Sequence, residues 1–184
     1  PEVREYISAT IRKMTAWGYE LIKHDYTTYD LFGAFGCALN GKITIKDGWS
    51  FHDETKTSAE IVSELYRLIR EAAGEAIIIA CNAVSHLSAG IFEVYRTGDD
   101  TSGRQWSRTR AYGVNTLAFR LCQNDAFYKI DADCVGLLPG KISWSLNRQW
   151  LELLAESGSP LFVSVHPEAL NEEIKAALTQ AFSH

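Results

Sequence analysis

Cysteine and proline are scarce in this 184-residue sequence, with four of each, and positive charge is outnumbered: 18 Lys and Arg stand against 23 Asp and Glu. Cys37, Cys81, Cys122 and Cys134 are scattered without a Cys-x-x-Cys pair, which excludes zinc-ribbon and thioredoxin-like spacing. A chain of this length builds a core without disulfide staples, so free thiols are expected. A formal net charge of −5 supplies no basic field for nucleic acid. Long apolar runs are also missing. Stretches such as Ala76 to Cys81 fall far short of the ~18 residues of a membrane-spanning helix. The expected partners are therefore small molecules or proteins, with no nucleic acid and no membrane. The sequence opens at Pro1 without a charged-then-apolar leader, so any signal peptide is expected to have been removed or to lie outside this chain, and the compartment stays open. His52-Asp53 and His166 match no metal-ligand spacing and are expected to be structural. With 46% hydrophobic and 22% charged residues the chain is ordered, and a single domain over 1–184 is the expectation. One further shortage is length itself, because a complete (β/α)8 barrel typically needs about 250 residues.

What is present is alternation. Val3, Ile7, Ile11 and Met14 mark one face of a helix that Gly18 ends. Tyr19 to Lys23 reads as a strand running into His24-Asp25, and Tyr26 to Lys56 as a long irregular connection of the functional kind. Thr57-Ser-Ala-Glu60 is a capping box opening a helix that Gly74 stops. Ala76 to Cys81, apolar without alternation, predicts a strand buried on both faces of a parallel sheet. Phe92 to Arg96 predicts another strand and Arg104 to Tyr112 a helix. Of Val114–Leu121 and Phe127–Ile130, at least one is expected to be a strand. Ser143 caps a helix ending at Gly158, Leu161 to Val165 is the last strand, and Pro167 opens a helix running to about Phe182. About five β-then-α units result, an α/β architecture with a parallel sheet.

In such sheets the reactive groups gather at the carboxyl ends of the strands. There the sequence puts Lys23 and Asp25, Cys81 and Asn82, Arg96 with Asp99 and Asp100, and Asp131 with Asp133. Carboxylates at successive strand ends suit glycoside hydrolysis, in which one acid attacks and another donates a proton. Lys23 lies two residues before Asp25, on the same side of an extended strand, as a partner for its charge or simply an ordinary ion pair. His24 faces the other way and is expected to pack or hydrogen-bond there. Trp17, Trp144 and Trp150 are expected in packing roles, while Trp49 and Trp106 are candidates for stacking on a sugar. Asp131 and Asp133 are substrate contacts or turn residues.

Trp17-Gly-Tyr-Glu-Leu-Ile-Lys23-His-Asp25, then Ile78-Ile-Ala-Cys81-Asn82, then Tyr95-Arg96-Thr-Gly-Asp-Asp100 with a downstream Trp106, resembles the α-galactosidase (melibiase) group of glycoside hydrolase clan D. Asp131-Ala-Asp-Cys-Val-Gly136 and Asn147 to Leu154 extend the resemblance over nearly the whole chain. It implies a partial (β/α)8 barrel, about strands four to eight, that is, the C-terminal part of a catalytic domain. It also implies Asp25 as nucleophile, Asp100 as acid/base with Asp99 its neighbour, and Lys23, Cys81, Asn82 and Arg96 as substrate-binding residues; Asp131 at a strand end and Trp49 in a strand-end loop are expected to join them, and the proximity of Asp99 is expected to repel Asp100 as a like charge. The implied partner is an α-galactoside, with no cofactor and no metal, and the implied location is secreted or periplasmic. The sugar-binding residues of strands one to three are absent, so the resemblance implies a fragment with little activity alone, or copies associating to cover open sheet edges. An α-N-acetylgalactosaminidase, with Cys81, Asn82 and Ser85 admitting an acetamido group, and a non-catalytic carbohydrate-binding module remain alternatives.

Overall fold

The computed structural model describes residues 2–32 and 50–183. Cys37 and Trp49 fall outside the described residues, as does most of the long connection after Tyr26. The chain forms two compact units, residues 1–95 and 96–184.

The first unit is a parallel sheet covered by helices. α1 (Glu2–Ala16) leads to β1 (Leu21–His24), and Gly18 makes the turn with φ +89°, a conformation open to glycine without a Cβ penalty. α2 (Thr27–Phe32) is a short helix at the start of the connection that the sequence read as irregular. α3 (Ser58–Ala73) begins at the expected capping box: the Glu60 N–H donates to Thr57 Oγ1, and the Thr57 N–H donates back to Glu60 Oε2 at 2.7 Å. β2 (Ile77–Ala80) pairs in parallel with β1, with His24 opposite Ala80, and with β3 (Val94–Arg96) through Ile79 and Val94. Between β2 and β3 lies the single-turn α4 (Ser85–Ser88). α1 packs on α3, bringing Ile11, Val62, Ile69 and the fully buried Tyr66 against Ile78 and Ala80 of β2. Burying side chains of this size contributes roughly 1.5–3 kcal/mol each. Val3, at the start of the face shared with Ile7 and Ile11, is exposed, as is Tyr6, and Trp17, just past the end of α1 and expected to pack, is 65% exposed, with Lys13 Nζ 4.9 Å over its ring.

In the second unit, α5 (Trp106–Thr109) passes through a π-helical turn (Arg110–Val114) into α6 (Asn115–Arg120). Of the two stretches expected to hold at least one strand, Val114–Leu121 is therefore helical. Leu117 is buried while Phe119 is exposed, and apolar content alone did not separate a helix with one inward side from a strand. The strand is the other stretch: β4 (Lys129–Asp131), followed by β5 (Cys134–Leu137), which pairs in parallel with β6 (Phe162–Val165). α7 (Trp144–Glu156) packs on β5, with Trp150, Leu151 and Leu154 inward. The helix expected from Pro167 is interrupted. Pro167–Ala169 is a 3-10 turn, Leu170 is extended, and Asn171 caps α8 (Glu172–Ala181) by accepting the Ile174 N–H at 2.8 Å.

Backbone meets backbone at Gly103 and Gly136. A Cβ on Gly136 would lie 2.5 Å from Gly103 Cα, and neither neighbour is a side chain able to turn away. Gly136→Ala should therefore lower the stability of the second unit by about 1–3 kcal/mol, as overpacking does. Urea denaturation measures it, and an unchanged midpoint would refute the close approach.

Candidate functional site

Asp25 follows β1 directly and Cys81-Asn82 follows β2 directly. The parallel register sets these strand ends side by side, and the Cys81 N–H donates to His24 O at 3.0 Å. Asp25 Oδ1 accepts the Asn82 Nδ2–H at 2.5 Å and the Tyr26 N–H at 2.6 Å. Two non-glycine residues adopt left-handed backbone here, Tyr26 with φ +65° and Asn82 with φ +50°. Such conformations cost of order 1 kcal/mol or more and are found where surrounding structure enforces them. Partial burial works against ionisation of Asp25, but the Asn82 bond, the Tyr26 N–H, the Cys81 thiol and the charge of Lys23 together hold its carboxyl below the usual carboxylate range. Lys23 is exposed.

His24 points into the core, as the alternation of the strand requires. Its ring lies 4.8 Å from the Phe92 ring and 6.1 Å from Tyr66, its Nδ1 meets Thr27 Oγ1 at 2.9 Å, and its Nε2 is buried with no partner among the described residues. Burial brings its pKa from 6.5 down to about 4, against the pull of the Asp25 charge.

In the second unit the end of β3 carries Arg96, whose side chain is only 8% exposed. Its Nε donates to Asp131 Oδ2 at 2.8 Å, its Nη2 lies 2.8 Å from Asp133 Oδ1, and its Nη1 reaches Asp100 Oδ1 at 3.4 Å. Asp131 is 1% exposed, and its Oδ1 accepts the Asp133 N–H. Asp133 Oδ2 accepts both the N–H and the Oγ1–H of Thr101. Asp100, next to Thr101 in sequence, has its side chain 72% exposed. Asp99 was expected to act on Asp100 as a like charge. Its carboxylate instead meets Arg108 Nη2 at 2.8 Å and accepts the Asp100 N–H, while Arg108 Nε donates to Asp100 O. Arg108 and Thr101 were not singled out from the sequence; a cation eight residues past Asp100, on the helix opened by Trp106, is the signal that was there to find.

The structure thus groups Asp25, Cys81, Asn82 and Lys23 within the first unit and Arg96, Asp100 and Asp131 within the second. Trp150 is core, with Nε1 donating to Cys134 O, and Trp144 Nε1 donates to Glu173. Trp106 is half-buried. Cys122 and Cys134 are free thiols, and Cys81 Sγ accepts the Asn82 Nδ2–H at 3.8 Å. Among the described residues no group of three His, Cys, Asp or Glu could hold a metal ion, and no helix is long and apolar enough to cross a membrane.

Parallel strands alternating for the most part with helices, and ending in polar or charged groups, define the class as part of a β/α barrel. TtGalA, an α-galactosidase from Thermus thermophilus solved with p-nitrophenyl α-D-galactopyranoside, matches all of this chain with a TM-score of 0.72 and 20% identity, over 36% of its own length. A GH27 β-L-arabinopyranosidase from Geobacillus stearothermophilus, in complex with arabinose, matches 97% of the chain at a TM-score of 0.65 and 15% identity, over 40% of its length. α-Galactosidase I from Mortierella vinacea matches 96% at a TM-score of 0.62 and 11% identity, over 45% of its length. The chain therefore spans less than half the length of these structures, and at such identities the shared feature is the fold. No family model and no curated protein matches the sequence.

The His24 environment makes stability depend on pH. The unfolded chain takes up a proton near pH 6.5 that the folded chain refuses until about pH 4, so stability is full above 6.5 and falls as pH drops between these values. The loss is of the order of 3 kcal/mol. Urea midpoints at pH 7 and pH 4.5 should diverge in the natural chain and converge in His24→Gln; equal pH sensitivity in both would refute the buried neutral ring.

Proposed function

We propose that the chain is the C-terminal part of the catalytic barrel of a retaining glycoside hydrolase of the α-galactosidase kind, residues 1–184 belonging to one catalytic domain. The observation that carries this reading is the Asp25 carboxyl at the end of β1, gripped at Oδ1 by Asn82 and the Tyr26 N–H and held below the usual carboxylate range. A nucleophile must be ionised at neutral pH, and this environment favours that form. The likeness of fold to TtGalA, solved with p-nitrophenyl α-D-galactopyranoside and with stachyose, supports a galactoside as the substrate class.

In the first step the Asp25 carboxylate attacks the anomeric carbon and the bond to the leaving oxygen breaks, while Asp100 donates its proton to that oxygen. In the second, Asp100 takes a proton from water, the water oxygen attacks the anomeric carbon, and the ester to Asp25 is released, so configuration is retained. The exposed side chain of Asp100 suits exchange of a proton with water. Lys23, Cys81, Asn82 and Arg96 bind the sugar, with Trp49 as a stacking residue. Asp131, buried against Arg96, contributes by orienting that guanidinium.

In the complete gene product, Asp25→Asn should reduce turnover of p-nitrophenyl α-galactoside at least ~1,000-fold with an unchanged melting temperature. Asp100→Asn should slow cleavage of a galactosyl disaccharide far more than of the nitrophenyl substrate, because nitrophenolate leaves without a proton. Normal turnover by Asp25→Asn would overturn the assignment. Galactoside binding without covalent labelling of Asp25 by a fluorinated galactosyl reagent would replace it with a binding module.

A further inference from the structure

The ladder between β1 and β2 runs out at the Cys81 N–H, and the very next residue must hold its amide against Asp25. Asn82 does so with φ +50°, a conformation that persists only where the surroundings enforce it. The enforcement is visible one residue further on. A single peptide unit, the one joining Ala83 to Val84, is held at both of its polar ends by tyrosine hydroxyls: the Val84 N–H donates to Tyr66 Oη at 2.8 Å, and Tyr95 Oη donates to Ala83 O at 2.9 Å. Tyr66 comes from the middle of α3 and is fully buried, and burial pushes its hydroxyl up to about 12, so it keeps its proton through neutral pH. Its ring lies 5.1 Å from Phe92 and 6.1 Å from His24, the residue that directly precedes Asp25. Tyr66 therefore backs onto both of the strand ends that meet at the Asp25–Asn82 contact, and Tyr95 reaches the same peptide from β3.

We propose that Tyr66 and Tyr95 are positioning residues for the nucleophile: by fixing the Ala83–Val84 peptide at its N–H and its C=O, their hydroxyls set the turn at Asn82 and keep the Asn82 amide on Asp25 Oδ1. The N–H and C=O of a trans peptide point in opposite directions, so bonds at both ends stop the plane from rotating about the line between its Cα atoms. That rotation changes ψ of Ala83 and φ of Val84, the torsions that follow Asn82 in the chain, and α4 starts only at Ser85. A buried peptide needs hydrogen-bond partners wherever it lies, but here they fix the residue whose amide grips Asp25. Through Tyr66, α3 takes part in the site although it carries none of the residues assigned to the reaction. With the clamp loosened, the Asn82 bond weakens and the Asp25 carboxyl moves up toward the usual carboxylate range. The inference rests on the reading of Asp25 as the attacking group for its consequence in turnover, and on the contacts alone for its consequence at the carboxyl.

The test is an NMR titration of the Asp25 carboxyl carbon in the complete gene product, with Asp25→Asn assigning the signal. Tyr66→Phe and Tyr95→Phe each keep the ring and remove one bond to the peptide. Both should move the Asp25 midpoint upward, the direction also expected of Asn82→Ala, and lower kcat on p-nitrophenyl α-galactoside at least ~5-fold. Added to Asn82→Ala, neither should move the midpoint further, because the bond that the clamp guards is already gone. Val62→Ala, one turn before Tyr66 on α3 and 1% exposed, should lower the urea midpoint as a cavity does while leaving the Asp25 titration in place, which separates positioning from loss of stability. A natural Asp25 midpoint in either tyrosine variant, a shift of undiminished size on top of Asn82→Ala, or an equal shift in Val62→Ala would overturn the proposal. The titration reads the Asn82–Asp25 contact whether or not Asp25 attacks a sugar. Failure of the clamp therefore shows in the midpoint, and failure of the functional reading shows as normal turnover by Asp25→Asn.

Discussion

A guanidinium with only 8% of its side chain exposed cannot stay in a fold without anions around it, and Arg96 sets this demand at the end of β3. Removing one partner of such a buried pair costs several kcal/mol, because the remaining charge has no water to turn to. Asp131 and Asp133 meet the demand from β4 and the turn after it, and they are themselves tied down: Asp131 Oδ1 takes the Asp133 N–H, and Asp133 Oδ2 takes two hydrogen bonds from Thr101. The chain must therefore turn sharply at Asp133, which adopts φ +72°. Thr101 is fixed by the same network, and Asp100 beside it is presented to solvent with one oxygen toward Arg96. One buried cation thus organises the strand ends of the second unit and the exposure of its candidate acid.

Among its described residues the first unit reaches a comparable result without a buried cation at Asp25. Asp25 is held by a side-chain amide, a backbone N–H and a thiol, with Lys23 contributing from the surface. Hydrogen bonds from neutral donors favour the carboxylate while leaving it near water, whereas Arg96 pairs with Asp131 and Asp133 where both are largely withdrawn from it. Both units place left-handed, non-glycine residues next to these groups: Tyr26 and Asn82 in one, Asp133 in the other. Of the five left-handed non-glycine residues among the described ones, these three each lie two positions past the end of a strand, where the surrounding structure enforces the conformation.

Much of the fold could be read from the residues because its signals are local. The Thr57–Glu60 capping box, the run at Ala76–Cys81 and the stops at Gly18 and Gly74 depend on neighbours within a few positions, and each corresponds to a feature of the structure. Val114–Leu121 was ambiguous for a physical reason. Its helix joins α5 through a π-helical turn in which Gly113 lies against the Trp150 ring, a contact across more than thirty residues that no window on the sequence contains. Trp17 was misplaced for a similar reason: helical spacing shows which residues share a face, and packing decides which face is covered.

By itself the sequence determined the alternation of strands and helices and the order in which Asp25, Cys81-Asn82, Arg96, Asp100 and Asp131 come to strand ends. The side-chain period of a strand and the capping chemistry of a helix are properties of adjacent residues. Tertiary structure alone decided that Asp131 is buried against Arg96, that Asp99 turns to Arg108, and that the buried Asn147 amide is held by Gly136 O. Burial and charge pairing belong to whichever distant segments come into contact, and the energy of a charged or polar group is set by those contacts rather than by its place in the chain.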